Sequence, residues 1–563
     1  MDNMGLIADK KTRTCAFIFS LGLSLALVLG FSLERYDHIV INLISVVVFV
    51  IVFALALFLT VKSWGVLGRK LESINSEDKA KADREGFDKS ALNGYFIRSW
   101  IGLILLQLPV LFAEYPGFFV YDAQTELMEV VTRLFTTHHP LLHVLLLGGT
   151  ITGIHKITDS WNLGIFAYIF MQMVVMTGIF AYTIRFLKKK GISKGFRIFA
   201  FLFLGLFPTI VMYTLCSSKD GLFSAFLLLM VVTLIEIKDD LTSGNGAGIS
   251  RRRAFAFILA ASLMMLFRHN GYYCYLVFII TIAIIAIARK AFRTIDKNFL
   301  IKAALLLIIP VVIYITFSTA LEKALCQGST TDHQEMLTVP ISQLARTYKY
   351  NPELFSKEDS ELLKNYIDED SLNLYTARCT DKVKYNFNNE YFEENSGAFY
   401  DLWLRIGLKA PMTYVNAWFL TSYGYWYPGA VINVYGGESV FTFTYDESSY
   451  FGYEVEEPGT RHSFIPLIDS FYRKLSIDKF QQNIPGVSLL FAPAFYFWVF
   501  MYVFMFVVSR KDIKANALIM LPVLLLWLTV LLGPTYLVRY VIILWYMVVL
   551  YPVLLRKTVA KRK

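Results

Sequence analysis

Ionisable residues of this chain gather in short stretches at the ends of long apolar runs. The most concentrated is Glu114-Tyr-Pro-Gly-Phe-Phe-Val-Tyr-Asp-Ala-Gln-Thr-Glu126, which continues to His138-His139-Pro140. Polar and ionisable groups are costly against a bilayer, so they mark function by default. Asp122 sits in a loop broken by Pro116-Gly117, where a carboxylate could take a proton from a hydroxyl as general base. It could equally hold a divalent cation, Mg2+ or Mn2+, through hard oxygen ligands; the bland alternative is a solvated loop acid. Glu126 lies four residues on and Glu129 seven, so a helix starting near Asp122 puts all three on one side, as a site or as its solvated face. His138 and His139 are adjacent and point in different directions. No His-x-x-x-His spacing supports a zinc site, so one is expected to cap the next helix and the other to meet water or a phosphate. Tyr121 joins them as a candidate substrate contact.

Three further stretches have the same character. Ser217-Ser218-Lys219-Asp220-Gly221 opens an apolar run. Serine as N-cap and Asp220 in the first turn suit a helix start. Lys219 beside a helix N-terminus suits a phosphate. Arg268-His269-Asn270-Gly271 breaks two apolar runs, and a bare Arg268 there needs a partner: a lipid phosphate through charge-assisted bonds, or the headgroup region by snorkelling. Arg539 and Tyr540, in Tyr536-Leu-Val-Arg-Tyr540, repeat the case on the last run, where interfacial anchoring is the competing explanation.

The elements that carry these stretches are membrane helices. Of the 563 residues 56% are hydrophobic and 17% charged, against about 25% charged in soluble domains. Apolar runs approaching the ~20 residues of a bilayer crossing fall at 14–33, 39–61, 98–113, 163–185, 198–215, 221–237, 254–267, 271–288, 303–319, 488–508, 515–532 and 537–555, which predicts twelve spans. The first is read as retained, for it lacks a cleavage pattern and is followed by a second span. Residues 62–97 read as a charged, solvated linker.

The net charge of +10 is accounted for by topology and not by nucleic acid. Seven segments assigned to the cytoplasm carry 34 of the 54 Lys and Arg; outside the 320–487 loop, only 6 lie on the opposite side. Positive-inside bias then puts both termini in the cytoplasm and every polar stretch above on the outer face. It also makes 141–155 a helix lying on the outer leaflet, since a crossing would move Arg185-Phe-Leu-Lys-Lys-Lys190 outside. Four regions follow: 1–95, two spans and the linker; 96–319, a transmembrane core with the outer loop 114–162; 320–487, a mainly α extracytoplasmic domain; and 488–563, three spans. Residues 411–427 are aromatic enough for the headgroup belt. Cys326 and Cys379 share the outer domain, either as a disulfide or as two thiols.

The order of these stretches resembles the GT-C superfamily of integral-membrane glycosyltransferases: an acid after Tyr-Pro-Gly in the first large outer loop, His-His-Pro and a lateral helix, Ser-Lys-Asp-Gly and Arg-His-Asn-Gly helix ends, a long outer domain and Arg-Tyr on the last span. The chain looks closest to a bacterial branch related to protein mannosyltransferases and lipid A aminoarabinose transferases, with Val339-Pro-Ile-Ser-Gln-Leu-Ala-Arg346 and Pro411-Met-Thr-Tyr414 also similar. The resemblance spans most of 95–550. It departs from the mannosyltransferases where Ala123 follows Asp122 in place of an Asp-Glu pair. It implies a polyprenyl-phosphate-linked sugar as donor, transfer to an extracytoplasmic glycan, lipid or protein, and Asp122 as base with Glu126 beside it. Tyr121, His138, His139, Lys219, Asp220, Arg268, His269, Asn270, Arg539 and Tyr540 would contact substrate or donor phosphate.

Two other classes fit the composition. A multi-pass transporter or lipid flippase suits twelve spans, but its site would lie at the midplane between repeated halves, whereas these residues cluster at outer helix ends. An envelope-assembly scaffold would need none of the ionisable stretches.

Overall fold

A computed structural model describes residues 9–82, 89–242, 248–290, 296–326, 333–432 and 450–557. Those residues form helices and irregular segments, with isolated bridges and no β-strand among them. Helices satisfy their backbone within the segment, as hydrocarbon demands. Eight are long and apolar enough to cross a membrane: α1 (Lys10–Tyr36), α2 (Leu43–Ala82), α3 (Lys89–Ala113), then, beyond the short α4 (Ala123–Thr132), α5 (Leu141–Thr158), α6 (Trp161–Lys189), then α9 (Lys219–Thr242), α11 (His269–Ala288) and the helix Lys297–Leu325. Between α6 and α9, α7 (Lys194–Leu206) and α8 (Pro208–Thr214) make a pair bent by 55°. Between α9 and α11 lies α10 (Arg251–Phe267), which packs along α9. The chain is an α-helical, multi-pass membrane protein.

The structure differs from the twelve expected runs at several points. The run 198–215 bends where Pro208 supplies no backbone N–H. The helices Pro493–Ser509 and Asn516–Val530 are shorter than a usual crossing. Residues 538–554 are a chain of short 3-10 and α segments ending after Pro552, and not one helix. Segment 141–155, expected to lie flat, belongs to the 18-residue α5, which is long and apolar enough for a crossing. The linker expected at 62–97 is largely helical, because α2 continues to Ala82 and α3 begins at Lys89; residues 83–88 lie outside the described residues.

Two hydrophobic cores organise the chain. The larger unites α1 to α11 with the C-terminal helices. The smaller falls within 337–414, around Ile341, Leu363, Tyr366, Phe399 and Ile406. The stretch after it returns to the main core through Leu420, Tyr423, Tyr425 and Phe451, so the 320–487 region is divided between the two cores. Helix Pro411–Ser422 has 12 residues, about 18 Å of rise, too short to cross. It is pinned where Trp418 Nε1 donates to the Leu531 carbonyl at 2.8 Å and Ile39 N donates to Asn416 Oδ1 at 2.9 Å. The end of α1 joins the outer region: Tyr423 OH donates to Glu34 Oε2 at 2.7 Å and Arg378 pairs with Asp37 at 3.1 Å. The disulfide considered for Cys326 and Cys379 is absent, and both are free thiols. Cys326 bridges by backbone to Phe135, while Cys379 is buried with Sγ 3.7 Å from Asp381 Oδ2.

Candidate functional site

Backbone hydrogen bonds dock the 114–122 loop onto the α8–α9 junction. Phe118 N donates to Leu215 O at 3.0 Å, Ser217 N to Phe118 O at 2.9 Å, and Val120 N to Ser217 Oγ at 3.2 Å. From the other side Glu456 N donates to Phe119 O at 2.8 Å and His462 N to Tyr115 O at 2.9 Å. Tyr121 is held at a φ of +65°, in the left-handed region that few side chains favour. Its hydroxyl accepts from Gly452 N at 2.9 Å. A Cβ on Gly452 would come within 3.0 Å of Val120 and 3.2 Å of the Tyr121 ring, so any larger residue here must push those side chains aside.

Docking brings Asp122 to the start of α9. Ser218 caps that helix, as its sequence suggested: Asp220 N donates to Ser218 Oγ at 3.3 Å, and Ser218 Oγ donates to Asp220 Oδ2 at 2.7 Å. Lys219 then points into the cluster. Its ammonium donates to Asp122 Oδ2 at 2.6 Å, Glu126 Oε1 at 3.1 Å and His139 Nδ1 at 3.2 Å. An ammonium has three donors and no acceptor, so all three are used and His139 carries its own proton on Nε2. The last span adds Arg539, whose guanidinium lies 3.3 Å from Asp122 Oδ2 and 3.7 Å from Asp220 Oδ2. Arg539 is stacked between the rings of Tyr121 and Tyr540, at 4.4 and 4.9 Å. The partner that Arg268 required is Asp220, which it meets in a close ion pair while lying 4.4 Å over Tyr540.

Nine sequence candidates thus join in one network: Tyr121, Asp122, Glu126, His139, Lys219, Asp220, Arg268, Arg539 and Tyr540. His138 contacts the network edge-on through the His139 ring, with centroids 4.5 Å apart. His269 and Asn270 begin α11 at its rim, with His269 Nδ1 3.4 Å from Tyr314 OH. Glu126 and Glu129 do not form a solvated face, since both are buried. Glu129 accepts from Thr136 N at 3.1 Å and Thr136 Oγ1 at 3.3 Å.

Burial and charge set the protonation states. Burial pushes the Asp122 carboxyl up, but Arg539 and Lys219 outweigh it and hold Asp122 well below the usual carboxylate range. Glu126, likewise raised by burial, is brought to about 2 by His143 and Lys219. Burial and the neighbouring Lys219 lower His139 to about 3. Burial raises Glu129. Asp122 is the accessible acid: its side chain is 31% exposed and that of Glu126 1%.

Sequence reasoning missed a buried chain behind Glu126. Glu126 Oε2 pairs with His143 Nδ1 on α5. His143 Nε2 meets Tyr168 OH at 2.7 Å, Tyr168 OH meets Gln172 Oε1 at 3.2 Å, and Gln172 Nε2 donates to Cys216 O at 2.5 Å and Thr214 O at 3.1 Å. Those carbonyls only accept, so the Gln172 amide is oriented with Oε1 toward Tyr168. The single Tyr168 proton goes to Oε1, and His143 Nε2–H must donate to the Tyr168 oxygen. Glu114, also unassigned from sequence, is fully buried and pairs with Arg461. Burial lowers Arg461 to about 10.

A model of a family of unknown function, DUF6020, matches residues 128–562. That range includes Lys219, Asp220, Arg268 and Arg539 and begins just after Glu126. No curated protein and no solved structure matches the chain.

Proposed function

The chain belongs to the family of unknown function DUF6020, and we propose that this member is a GT-C-type membrane glycosyltransferase that moves a sugar from a polyprenyl-phosphate donor to an extracytoplasmic acceptor. The observation that carries this reading is the environment of Asp122. An accessible acid, fully ionised, is backed by Lys219 and Arg539 at converging helix ends, with Arg268 beside them.

Both cationic contacts of Asp122 fall on Oδ2, so Oδ1 is the oxygen that takes the acceptor proton. The acceptor oxygen bonds to the anomeric carbon, the bond from that carbon to the phosphate oxygen breaks, and the polyprenyl phosphate leaves with the electron pair. A carboxylate held this acidic is a weak base toward a free hydroxyl. Proton transfer therefore follows cleavage, when the hydroxyl attacking a cationic sugar carbon has become acidic. Displacement from the opposite face inverts the sugar.

Negative charge grows on the departing phosphate, and preorganised cations stabilise it. Arg539 and Arg268 are fixed by stacking on Tyr121 and Tyr540 and by Asp220. Their orientation therefore costs little during the reaction. His138, His269 and Asn270, on the rim, would contact the sugar or acceptor. In the same reading the termini are cytoplasmic, 118–137 and 140–155 shape the acceptor groove on the outer face, and the 320–487 region covers it.

The direct test is to purify wild type and Asp122→Asn in mild detergent and identify the bound lipid by mass spectrometry. A polyprenyl phosphate that still carries its sugar in the variant supports the reading and names the sugar. Bulk phospholipid alone in both would favour a transporter or flippase.

A further inference from the structure

Asp122, Glu126 and His139 each offer a ligand atom, and the three atoms lie within 4.8 Å of one another. Two carboxylate oxygens and an imidazole nitrogen form a donor set that suits a divalent ion such as Mn2+. These residues are the acceptors of Lys219, whose nitrogen lies 2.6, 3.1 and 3.2 Å from them. Those are hydrogen-bond lengths, longer than the about 2.0–2.2 Å at which small divalent ions hold such ligands. The ligands are spread around an ammonium and not drawn in around a metal. The Lys219 side chain is 11% exposed and that of Glu126 1%, so the ammonium is held largely out of water by these ligands. A divalent ion could enter only by expelling a like charge from its own binding position.

We propose that Lys219 is a resident cation: the protein supplies covalently, from the first turn of α9, the positive centre that these three ligands would otherwise take from solution. The wild-type chain then binds no divalent ion here, and truncating Lys219 converts the set into a Mn2+ site. Arg539 stays beside Asp122 in either state, so the vacancy opens on the Glu126 and His139 side. This inference rests on the geometry of the cluster and not on sugar transfer, and it is read without any activity assay.

The experiment is Mn2+ titration of detergent-purified full-length protein, followed by the loss of the free-ion electron paramagnetic resonance signal. Wild type should leave the signal unchanged. Lys219→Ala should take up one Mn2+ per chain, and Lys219→Ala with His139→Ala should lose most of that uptake. Lys219→Met, which keeps the bulk of the stem, should behave as Lys219→Ala does. Stoichiometric uptake by wild type that His139→Ala abolishes would overturn the proposal, as would absence of uptake by a folded Lys219 variant. Variants that fold only when Mn2+ is supplied would support it; variants that fail to fold with or without Mn2+ would count against it.

Discussion

Asp122 and Lys219 are 97 residues apart in sequence and 2.6 Å apart in space, joined through Asp122 Oδ2. The contact exists because the 114–122 loop is stitched by backbone hydrogen bonds to the residues just before α9. The main chain thereby sets the backbone separation that the two side chains span.

Replacing Asp122 by Asn keeps the shape and removes the proton acceptor. Transfer should fall about 10^3-fold, while expression, elution from size exclusion and bound donor lipid stay as in wild type. A rate within tenfold of wild type would remove Asp122 from the chemistry.

Arg268 and Asp220 are a buried pair, with side chains 11% and 2% exposed. Arg268→Ala strands the Asp220 charge and should cost about 3–5 kcal/mol, together with weaker donor binding. Combining Asp220→Asn with Arg268→Gln should cost less than the two single changes summed. Thermal unfolding of all four proteins completes the cycle, and strictly additive losses would contradict direct pairing.

The proton accounting behind Glu126 makes Tyr168 a donor to Gln172 and an acceptor from His143. Tyr168→Phe leaves both partners buried without a match, at about 1–3 kcal/mol each at most. Tm should drop. No change in Tm with Tyr168→Phe would refute the chain.

His139 is lowered to about 3 when folded, against about 6.5 when unfolded. Between those values the unfolded chain binds a proton that the folded chain refuses, so His139 makes stability fall as pH drops from about 6.5 toward 3. Glu126, lowered from 4.5 to about 2, adds stability that is fully present above about 4.5 and lost as pH falls from there toward 2. From pH 7 to 5, His139→Gln should therefore lose less Tm than wild type. Equal slopes would remove His139 as the cause.

Sidedness is read by labelling. Lys194 and Glu457 are both exposed, and the charge pattern puts them on opposite faces. In intact cells a membrane-impermeant maleimide should label Glu457→Cys and spare Lys194→Cys. Labelling at Lys194→Cys would mean that α5 crosses the membrane.

The helix ends that carry Asp122, Lys219, Arg268 and Arg539 were legible in the sequence, because each is an ionisable residue at the boundary of an apolar run. Their pairing was not. Arg268 and Lys219 called for an anion, and a lipid phosphate satisfies that demand as well as Asp220 or Asp122 does; the choice needs contacts across the chain. His143, Tyr168 and Gln172 were missed inside runs that average as apolar. A signal was present, since a His and a Gln facing hydrocarbon are costly and so imply partners. Arg461 offered none, being one basic residue among 14 in a loop without periodicity. The last run read as a helix from its composition, but it breaks into short segments between Pro534 and Pro552.

The cluster has three acids, Asp122, Glu126 and Asp220, against three fixed cations, Lys219, Arg268 and Arg539. Five of the six are made before residue 270, and Arg539 follows only near the end of synthesis. Arg539 therefore ties the outer loop, made early, to the last run, made late, and the counter-ions of Asp122 are complete only when the chain is nearly full length.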